Sequence, residues 1–382
     1  MMGDAYVTGI GMTGFAKHEG GAVELGEQAV VAAIDDAELD PRDVEALYAG
    51  HVHGGPVAGQ RVGAGAGLAG VPTINLENAC ASGTTAVIEA VHAVRSGRYS
   101  CVVACGFEQV STLPGMITPA AGDYEGELGL VFPAWYAMRA RLYMDEYGLT
   151  RRQLSMVAVK NRGNGALNPL SHWQHPVTEE EVSSSRLIAT PLRLQDCCPK
   201  SDGGAAVVIS SKSHVMMSRR RHGRTVRVSG VGLTSGRADG WYEPLFEDVT
   251  SRAAKNAYTD ADVEPGDVDF CEVHDCFTIA EGLRVEGLGL AAPGTYFKEL
   301  ELGGRWTLEG HTPVNASGGL LAKGHPLGAT GVAQVCEIVT QMRDLAGPRQ
   351  LKKTHIGLAH TRGGSVPGTE GASCGVVVCI AE

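Results

Sequence analysis

The feature of this sequence that most constrains its fold is an internal repeat. Residues 5–13 read AYVTGIGMT and residues 226–234 read VRVSGVGLT, so the same strand-then-glycine pattern occurs twice. Further along each copy, DAELDPRDVEALYAG at 36–50 matches TDADVEPGDVDFCEVHD at 259–275. Similarity of this kind, in a fixed order, indicates a duplicated structural unit. The chain is therefore predicted to contain two similar halves.

The match continues through the rest of each half. Residues 77–97 and 326–347 each read as a loop that enters a helix, and apolar strands follow at 101–108 and 355–364. Alternating strands and helices favour α/β units with parallel strand pairing. We predict an α/β fold in which two duplicated βαβαβαββ halves form a five-layered αβαβα core. The alternative, chance recurrence of glycine turns, does not explain four elements in the same order.

The predicted domains are the two halves, residues 1–225 and 226–382. The first half carries an insertion at about 112–181 that has no counterpart in the second half. Long insertions on a rigid scaffold are often binding loops or lids. We therefore expect this inserted loop domain to take part in a ligand site.

Composition excludes several classes of function. The formal net charge of -11 argues against a nucleic-acid-binding protein. The N-terminus has neither the basic region nor the apolar run of a secretory signal, and no apolar segment approaches the roughly 20 residues of a membrane span. The ten cysteines are expected to be reduced thiols. We therefore expect a cytoplasmic protein.

Cys80 is the first candidate for chemistry, because NACASGTT places it at the turn into a predicted helix. A helix N-terminus has a positive dipole end and unpaired N–H groups, which favour a thiolate. The small residues that follow leave room for a bulky substrate. Taken alone, packing of a buried thiol is the more common explanation for such a cysteine.

His325 is the second candidate, within the glycine-rich segment VNASGGLLAKGHPLGATG at 314–331. Dense glycines let the backbone approach a ligand closely. The repeat places this loop opposite the Cys80 loop, so a pseudo-two-fold axis would bring Cys80 and His325 to a shared centre. A cysteine beside a histidine is the pairing that generates a nucleophilic thiolate. A role in helix capping or packing is the alternative.

The third candidate is EVHDCFTIAE at 272–281. His274 and Cys276 are two residues apart, so in a strand or tight turn both would face one site. Metal ligation is the rival interpretation. No third ligand stands at a suggestive spacing, and we predict that the site holds no metal.

Together these residues resemble the thiolase superfamily, and within it the sterol-carrier-protein type of thiolase, which is acetyl-CoA acyltransferase-like. The similarity covers essentially the whole chain. It is carried by the Cys80 loop, 157–171, 183–208, HDCF at 274–277 and GGLLAKGHPLGATG at 318–331. Other thiolases have an asparagine-containing motif where this chain has HDCF.

The resemblance implies a role for each candidate residue. Cys80 would attack the thioester and hold the acyl group. His325 would accept the Cys80 proton and, together with His274, form an oxyanion hole for the thioester oxygen. Cys276 would be the acid/base at the α-carbon. The backbone N–H groups of Cys80 and Gly363 would form a second oxyanion hole.

The reaction that the resemblance implies is Claisen condensation, or thiolytic cleavage of a 3-ketoacyl-CoA, through an acyl-Cys80 intermediate. Coenzyme A would be a substrate, and no cofactor is expected. One alternative is a thiolase-like retro-aldolase for steroid-type CoA esters. Another is a thiolase-like subunit that works with an OB-fold (DUF35-type) bridging partner and a synthase. We expect a homodimer or homotetramer that serves lipid metabolism, with no nucleic acid and no membrane span.

Contacts to substrate or CoA are assigned to Arg186, Lys200, Ser317 and Gly318. Other basic side chains are possible phosphate contacts, namely Arg151, Arg152, Lys160 and Lys212. Cys374 imitates the C-terminal Cys-X-Gly acid/base of many thiolases. It opens an apolar strand beyond the HTRGG turn, so we favour a structural role for it.

Overall fold

The computed structural model describes residues 3–115, 123–217, 224–238 and 248–382. The first half begins with β1 (Ala5–Met12), α1 (Ala22–Asp36), β2 (Ala46–Gly50), α2 (Ala58–Gly65), β3 (Thr73–Leu76), α3 (Ser82–Arg95) and β4 (Cys101–Gln109). There follow α4 (Tyr124–Glu127), α5 (Phe132–Tyr147), α6 (Arg151–Ala166), α7 (Glu179–Ser184), β5 (Leu187–Ala189) and β6 (Leu192–Arg193). The half ends with β7 (Asp202–Ser211) and α8 (Lys212–Met217).

The second half repeats the order of β1, α1, β2, α3, β4 and β7 of the first half. Its elements are β8 (Val226–Ser235), α9 (Val249–Ala261), β9 (Phe270–Glu272), α10 (Thr278–Gly287), α11 (Tyr296–Leu302), α12 (Gly319–Ala322), α13 (Thr330–Met342), β10 (Ile356–Gly363) and β11 (Ser373–Ala381). Thus β8 corresponds to β1, α9 to α1 and α13 to α3.

The sheet shows the duplication directly. Its strand order is β3-β2-β4-β7-β1-β8-β11-β10-β9, and the first strands of the two copies pair antiparallel at the centre, with Ala5 opposite Val228. On either side of this junction the order within each half is the same. In the described part of the second half no strand corresponds to β3, and at that position Cys271 makes a parallel bridge to Val314. The β5–β6 pair forms a small separate sheet.

Side chains that alternate along the strands divide the interior into layers. On β4, Val103 packs with α1 and α2, whereas Val102 packs with α3 and α13. On β11, Val376 packs with α9 and α10, whereas Val377 packs with α3 and α13. Because successive side chains of a strand face opposite sides, α3 and α13 lie between the two sheet halves. The predicted five-layered αβαβα core is therefore confirmed.

The paired glycines of the repeat have the same physical role in both halves. A Cβ on Gly9 would lie 2.2 Å from the Ala33 carbonyl oxygen of α1. A Cβ on Gly230 would lie 2.1 Å from the Ala257 carbonyl oxygen of α9. Both distances are far shorter than van der Waals contact, so only glycine lets the outer helix approach the strand this closely.

The predicted insertion at about 112–181 lies partly outside the described residues, since 116–122 are not among them. Its described residues include α4, α5, α6 and the first half of α7. The division of the chain at 225/226 coincides with the first residue of β8 and stays a prediction. Across the described ranges, no helix is both long enough and apolar enough to cross a membrane.

We predict that Gly9→Ala and Gly230→Ala destabilise the protein to a similar extent. Each added methyl group would overlap a helix carbonyl, and overpacking of this kind costs about 1–3 kcal/mol or more. The free energy of unfolding from denaturant titration measures the effect.

The matched control is Gly163→Ala in α6, where an added Cβ meets nothing within 4 Å. This variant should be unchanged or more stable by about 0.5–1 kcal/mol, because alanine favours helix. If only one of Gly9→Ala and Gly230→Ala kept the stability of the wild type, the two glycines would not have the same packing role in the two halves.

Candidate active site

A cavity of about 320 Å³ lies where the two halves meet the described part of the insertion. All four ionisable residues singled out in the sequence line it, namely Cys80, His274, Cys276 and His325. Its volume is at the lower end of the range typical of small-molecule sites, about 300–1,000 Å³. Aromatic and aliphatic side chains form much of the remaining wall.

Cys80 lies in a tight turn two residues before α3. Its predecessor Ala79 has a φ of 48°, a left-handed conformation that is uncommon for a residue with a side chain. Two hydrogen bonds hold this turn: the Ala79 N–H donates to the Glu77 carboxylate at 2.7 Å, and the Ser82 hydroxyl donates to the Ala79 carbonyl at 2.6 Å. The thiol is therefore presented to the cavity from a fixed backbone.

Close glycine contacts bring the Cys80 and His325 turns together. A Cβ on Gly83 would lie 2.3 Å from the Gly328 carbonyl oxygen, and a Cβ on Gly331 would lie 1.9 Å from the Thr84 hydroxyl. The first turns of α3 and α13 therefore touch backbone to backbone. A nitrogen of His325, a nitrogen of His274 and the Cys80 Sγ all lie within 4.8 Å of one another.

The hydrogen bonds of His325 fix its tautomer. The Thr330 hydroxyl donates to the Pro326 carbonyl at 2.8 Å, so its oxygen accepts from His325 Nδ1–H at 2.7 Å. The other ring nitrogen, Nε2, then carries the lone pair. His325 is thus arranged to accept a proton through Nε2.

The HDC triplet sends its side chains in two directions. His274 and Cys276 line the cavity, and the His274 ring lies edge-to-face on His325 with centroids 4.9 Å apart. Asp275 is buried on the other side, where it accepts hydrogen bonds from the Leu320 N–H at 2.6 Å and the Asn161 amide at 2.7 Å. The middle residue therefore holds the loop that leads to His325.

His274 offers an unused hydrogen-bonding atom. Its Nδ1 is buried and has no partner within the part of the chain that the structure describes. Burial and the neighbouring His325 hold its pKa well below the ordinary value, so the ring is neutral at pH 7. A buried polar atom without a partner is costly. It is therefore a natural point of contact for a substrate oxygen.

Burial dominates the protonation of Cys80 and His325. It raises the pKa of Cys80 well above its usual range, with Cys276 adding to the effect, although the N–H groups of Gly364 and Cys80 oppose it. It also lowers the pKa of His325 to about 3. The free site therefore holds a neutral thiol beside a neutral imidazole. Desolvation therefore acts against the thiolate that the helix N-terminus was expected to favour.

Cys276 has polar support that sequence reasoning missed. Burial raises its pKa to about 11, while a hydrogen bond from Tyr136 and the charge of Arg284 act against that rise. Arg284 Nη2 lies 3.3 Å from the Tyr136 hydroxyl oxygen and donates to it, which leaves the hydroxyl proton for Cys276. The Tyr136 ring stacks on Phe277 at 4.5 Å. Tyr136 belongs to the insertion, far from HDCF in the chain, and no local signal pointed to it.

Two neighbouring glycines near the C-terminus lie close to the Cys80 turn, and the oxyanion role predicted for Gly363 stays a prediction. Gly363 lies against the Cys80 turn, where a Cβ would be 2.0 Å from the Asn78 carbonyl, and it is absent from the described lining of the cavity. Gly364 lines the cavity and directs its N–H at the Cys80 sulfur. Because consecutive residues of an extended chain face opposite sides, moving by one residue changes which N–H faces the Cys80 sulfur.

Of the four residues assigned to CoA contacts, two line the cavity and two do not. Arg186 and Lys200 line the cavity. Ser317 is fully buried and donates to the Glu272 carboxylate, and Gly318, with φ 100°, packs on Gly165. Neither of these two belongs to the described lining. A direct CoA contact for either stays a prediction.

The other basic candidates are mostly engaged elsewhere. Arg151 pairs with Asp196 at 2.7 Å, Arg152 pairs with Glu179 and Glu301, and Lys160 is buried beside Glu281 at 3.2 Å. Lys212 is exposed next to Asp4. Cys374 is buried with its Sγ 3.3 Å from His360 Nε2, and the described cavity lining does not include it.

The same three side chains could also hold a metal ion. In the described ranges, Cys80, His274 and His325 are the one His/Cys/Asp/Glu group whose ligand atoms lie close enough together. A tetrahedral zinc ion would need a fourth ligand, such as water. Metal binding there would occupy the nucleophile and its base. The predicted absence of a metal and of a cofactor stays a prediction.

Comparison with known proteins identifies the family. Residues 2–213 match the family Thiolase, N-terminal domain, and residues 239–370 match the family Thiolase C-terminal domain-like. The chain is 39% identical over 376 residues to an acetyl-CoA acetyltransferase of Methanothermobacter thermautotrophicus, covering 95% of this chain and 97% of the relative. It is 36% identical to the benzoylsuccinyl-CoA thiolase subunit BbsB of Thauera aromatica, covering 94% of each.

Further relatives agree with this result. Chicken (Gallus gallus) sterol carrier protein 2 is 33% identical, with 94% of this chain and 69% of the relative covered. The solved Ltp2-ChsH2(DUF35) aldolase superposes with a TM-score of 0.86 at 26% identity, covering 99% of this chain and 98% of that one. Human mitochondrial 3-ketoacyl-CoA thiolase superposes with a TM-score of 0.72 at 17% identity over 99% of both chains, which shows the shared fold.

The chain therefore belongs to the thiolase family, as its resemblance to sterol-carrier-protein-type thiolases implied. It is an acyl-CoA acyltransferase of that family.

We predict that Tyr136→Phe raises the pKa of Cys276. The hydroxyl stabilises the thiolate, so its loss favours the thiol and moves the titration to higher pH, by about one unit if the hydrogen bond is worth about 1 kcal/mol. Peptide-resolved mass spectrometry of iodoacetamide alkylation against pH, in a Cys80→Ser background, measures this midpoint.

Tyr143→Phe is the matched control for that experiment. Tyr143 is another buried tyrosine of α5, and its hydroxyl donates to Glu286 at 2.6 Å, away from the described cavity lining. Its loss should leave the Cys276 midpoint in place. An unchanged midpoint in Tyr136→Phe would contradict the assigned hydrogen bond.

Proposed function

We propose that this enzyme makes or breaks the C2–C3 bond of 3-ketoacyl-CoA thioesters through an acyl-Cys80 intermediate. The observation that carries the proposal is the meeting of Cys80, His274 and His325 within 4.8 Å, with Cys276 in the same cavity. A nucleophile, a base and a second acid/base are what a two-step acyl transfer requires. The relatives named acetyl-CoA acetyltransferase and benzoylsuccinyl-CoA thiolase support it.

In the cleavage direction, the first step uses Cys80 and His325. The Cys80 proton moves to His325 Nε2, and the sulfur attacks the C3 keto carbon. The N–H groups of Cys80 and Gly364, which already point at the sulfur, would stabilise the oxygen that gains charge. The C2–C3 bond then breaks, and its electron pair remains on the acetyl-CoA enolate.

The second acid completes that step. His274 and the protonated His325 would bind the enolate oxygen, since His274 has an unpartnered Nδ1 among the described atoms. Cys276 donates its proton to C2, and acetyl-CoA is released. A pKa of about 11 makes Cys276 a thiol at pH 7, the form that this donation requires.

The acyl group then leaves Cys80. The thiol of a second CoA gives its proton to the Cys276 thiolate and attacks the acyl carbonyl. The bond to the Cys80 sulfur breaks, and His325 returns its proton to that sulfur. The products are a shortened acyl-CoA and the original enzyme, so proton transfers balance over the cycle and the kinetics should be ping-pong.

We predict that acetyl-CoA adds one acetyl group to Cys80. Intact-protein and peptide mass spectrometry after incubation should show the adduct, and Cys80→Ser should abolish it. Cys276→Ala should retain the adduct, because acylation needs Cys80 and His325, but should lose exchange of the acetyl methyl protons with D₂O.

The two readouts separate the two thiols. Absence of any adduct with acetyl-CoA and longer acyl-CoAs would contradict covalent catalysis. Proton exchange that survives in Cys276→Ala would contradict the assignment of the acid/base.

A retro-aldolase that acts on steroid-type CoA esters is the second candidate, and the likeness to the Ltp2-ChsH2(DUF35) aldolase favours it. Such a reaction needs no acyl-cysteine and no free CoA. Cleavage of a β-hydroxyacyl-CoA without CoA, with activity retained in Cys80→Ser, would support the aldolase. Strict dependence on CoA and on Cys80 would reject it.

The assembly of the chain also belongs to this proposal. We infer that the chain forms a homodimer or homotetramer. Because the solved aldolase contains a DUF35 component, we also infer that this chain binds a similar OB-fold partner protein. Light scattering of the purified chain measures its own oligomeric state. A role in lipid metabolism and a cytoplasmic location stay predictions.

A further inference from the structure

Next to the cavity, positively charged side chains outnumber negatively charged ones at one place among the described residues, and one of these cations, Arg362, lines the cavity. Three guanidinium groups from different elements gather around one buried carboxylate: Arg139 of α5, Arg284 of α10 and Arg362 of β10 surround Asp248. Asp248 accepts from Arg362 Nη1 and lies 3.4 Å from Arg284 Nη1. These cations hold the pKa of Asp248 at about 2, although burial alone would raise it.

One guanidinium nitrogen of Arg362 makes no hydrogen bond within the described residues. Arg362 is only 5% exposed, it lines the cavity, and its Nη2 is buried without a partner in the described part of the chain. A buried guanidinium N–H without an acceptor is costly. An anion inside the cavity would supply the acceptor that the protein does not.

One carboxylate on the cavity wall is already engaged. Glu370 also lines the cavity, but it accepts from the Arg252 guanidinium and from the Arg237 backbone N–H at 2.6 Å. It is therefore occupied, and Arg139 remains repelled by Arg362 and Arg284. Burial and this repulsion lower the pKa of Arg139 to about 10.

An aromatic side chain orients two of the guanidinium groups. Arg139 lies 4.6 Å and Arg362 lies 5.5 Å from the centroid of the Trp135 ring, which itself lines the cavity. Cation–π contacts of this kind restrict a long side chain to one geometry. The unpartnered Nη2 is thus held in place before any ligand enters.

The position of Arg362 suits the acyl group of a substrate. Arg362 is two residues before Gly364, whose N–H points at the Cys80 sulfur, so their Cα atoms are about 7 Å apart in extended backbone. Phe132, Trp135 and Phe277 provide apolar wall in the same cavity. A short methylene chain could run from Cys80 along this wall to the guanidinium.

We propose that the cavity accepts acyl groups that carry a second, terminal carboxylate, and that Arg362 Nη2 binds this carboxylate. The substrate class would be CoA thioesters of short dicarboxylic acids. This inference rests on the proposed function, since it assigns the far end of the acyl group whose carbonyl Cys80 attacks.

The test compares a carboxylate with its neutral amide. Rates of Cys80 acylation are measured by mass spectrometry with succinyl-, glutaryl- and adipyl-CoA, and with the terminal amide of each. The pairs have the same size, so a difference reports the charge. We expect the best dicarboxylate to acylate Cys80 about 10- to 100-fold faster, per unit concentration, than its amide, as a charge-assisted hydrogen bond implies.

Two variants locate the effect. Arg362→Gln should reduce the carboxylate-to-amide ratio to near one. Arg349→Gln is the matched control, because Arg349 is also buried and paired, with Glu337 at 3.0 Å, but is absent from the described cavity lining. It should keep the wild-type ratio even if it lowers stability. The ratio is taken within each variant, so a general loss of activity does not affect it.

The outcomes distinguish this inference from the proposed function. A wild-type ratio near one, while acetyl-CoA still acylates Cys80, would overturn the carboxylate site and leave the proposed function intact. A preference that survives in Arg362→Gln would also overturn it. If Arg362→Gln slows acetyl-, amide- and carboxylate-bearing substrates equally, Arg362 contacts the CoA portion and the inference is wrong. If no CoA ester acylated Cys80, both the proposed function and this inference would be wrong.

Discussion

The contact on which this structure depends is the backbone-to-backbone approach of α3 and α13, one from each half. Gly83 and Gly331 have no side chain at the crossing, where a Cβ would overlap the opposite turn, and a Cβ on Gly328 would overlap the carbonyl oxygens of Gly50 and Phe107. This approach places the loop before α3 beside the loop before α13. The Cys80 thiol and the His325 imidazole therefore meet at the pseudo-two-fold axis, and neither half could form the site alone.

The far ends of the same helices are tied across the axis in a symmetric way. Arg95 at the end of α3 pairs with Asp260 of α9 at 2.6 Å, and Arg343 after α13 pairs with Asp36 of α1 at 2.8 Å. Each central helix is thus fixed to an outer helix of the opposite half. The duplication creates the active site and also the ion pairs that hold its geometry.

Burial then determines how the site works. A thiol and an imidazole removed from water remain neutral, since charging either one is unfavourable without a partner. In the proposed mechanism, charge develops only when a substrate brings a carbonyl to the N–H groups of Cys80 and Gly364. A neutral Cys80 would then be protected from unwanted reactions until a thioester is bound.

Much of this arrangement could be predicted from the sequence. The repeat indicated the duplicated fold, and its symmetry placed Cys80 opposite His325 without any coordinates. The two-residue spacing of His274 and Cys276 correctly put both on the cavity. These predictions succeeded because they follow from topology and from the period of an extended backbone.

The remaining features depend on tertiary contacts that carry no local signal. Tyr136 and Arg284 reach Cys276 from separate helices, and Arg362 gains its unpartnered Nη2 only through the packing of Trp135 and Asp248. Sequence reasoning named Gly363, whereas Gly364 is the glycine that lines the cavity, because a position near a turn cannot be read to one residue. The helix-dipole argument for a Cys80 thiolate left out the desolvation of the sulfur, which raises the pKa of the thiol and which no local pattern reveals.

The measurement that tests the account most directly is the ionisation of Cys80 in the free enzyme. Ultraviolet thiolate absorbance of the wild type minus that of Cys80→Ser, followed between about pH 5 and pH 8, reports it. The neutral pair predicts no difference across this range, followed by rapid acylation once acetyl-CoA is added. A thiolate signal with a midpoint below neutral pH would show a preformed Cys80–His325 ion pair and would contradict the account.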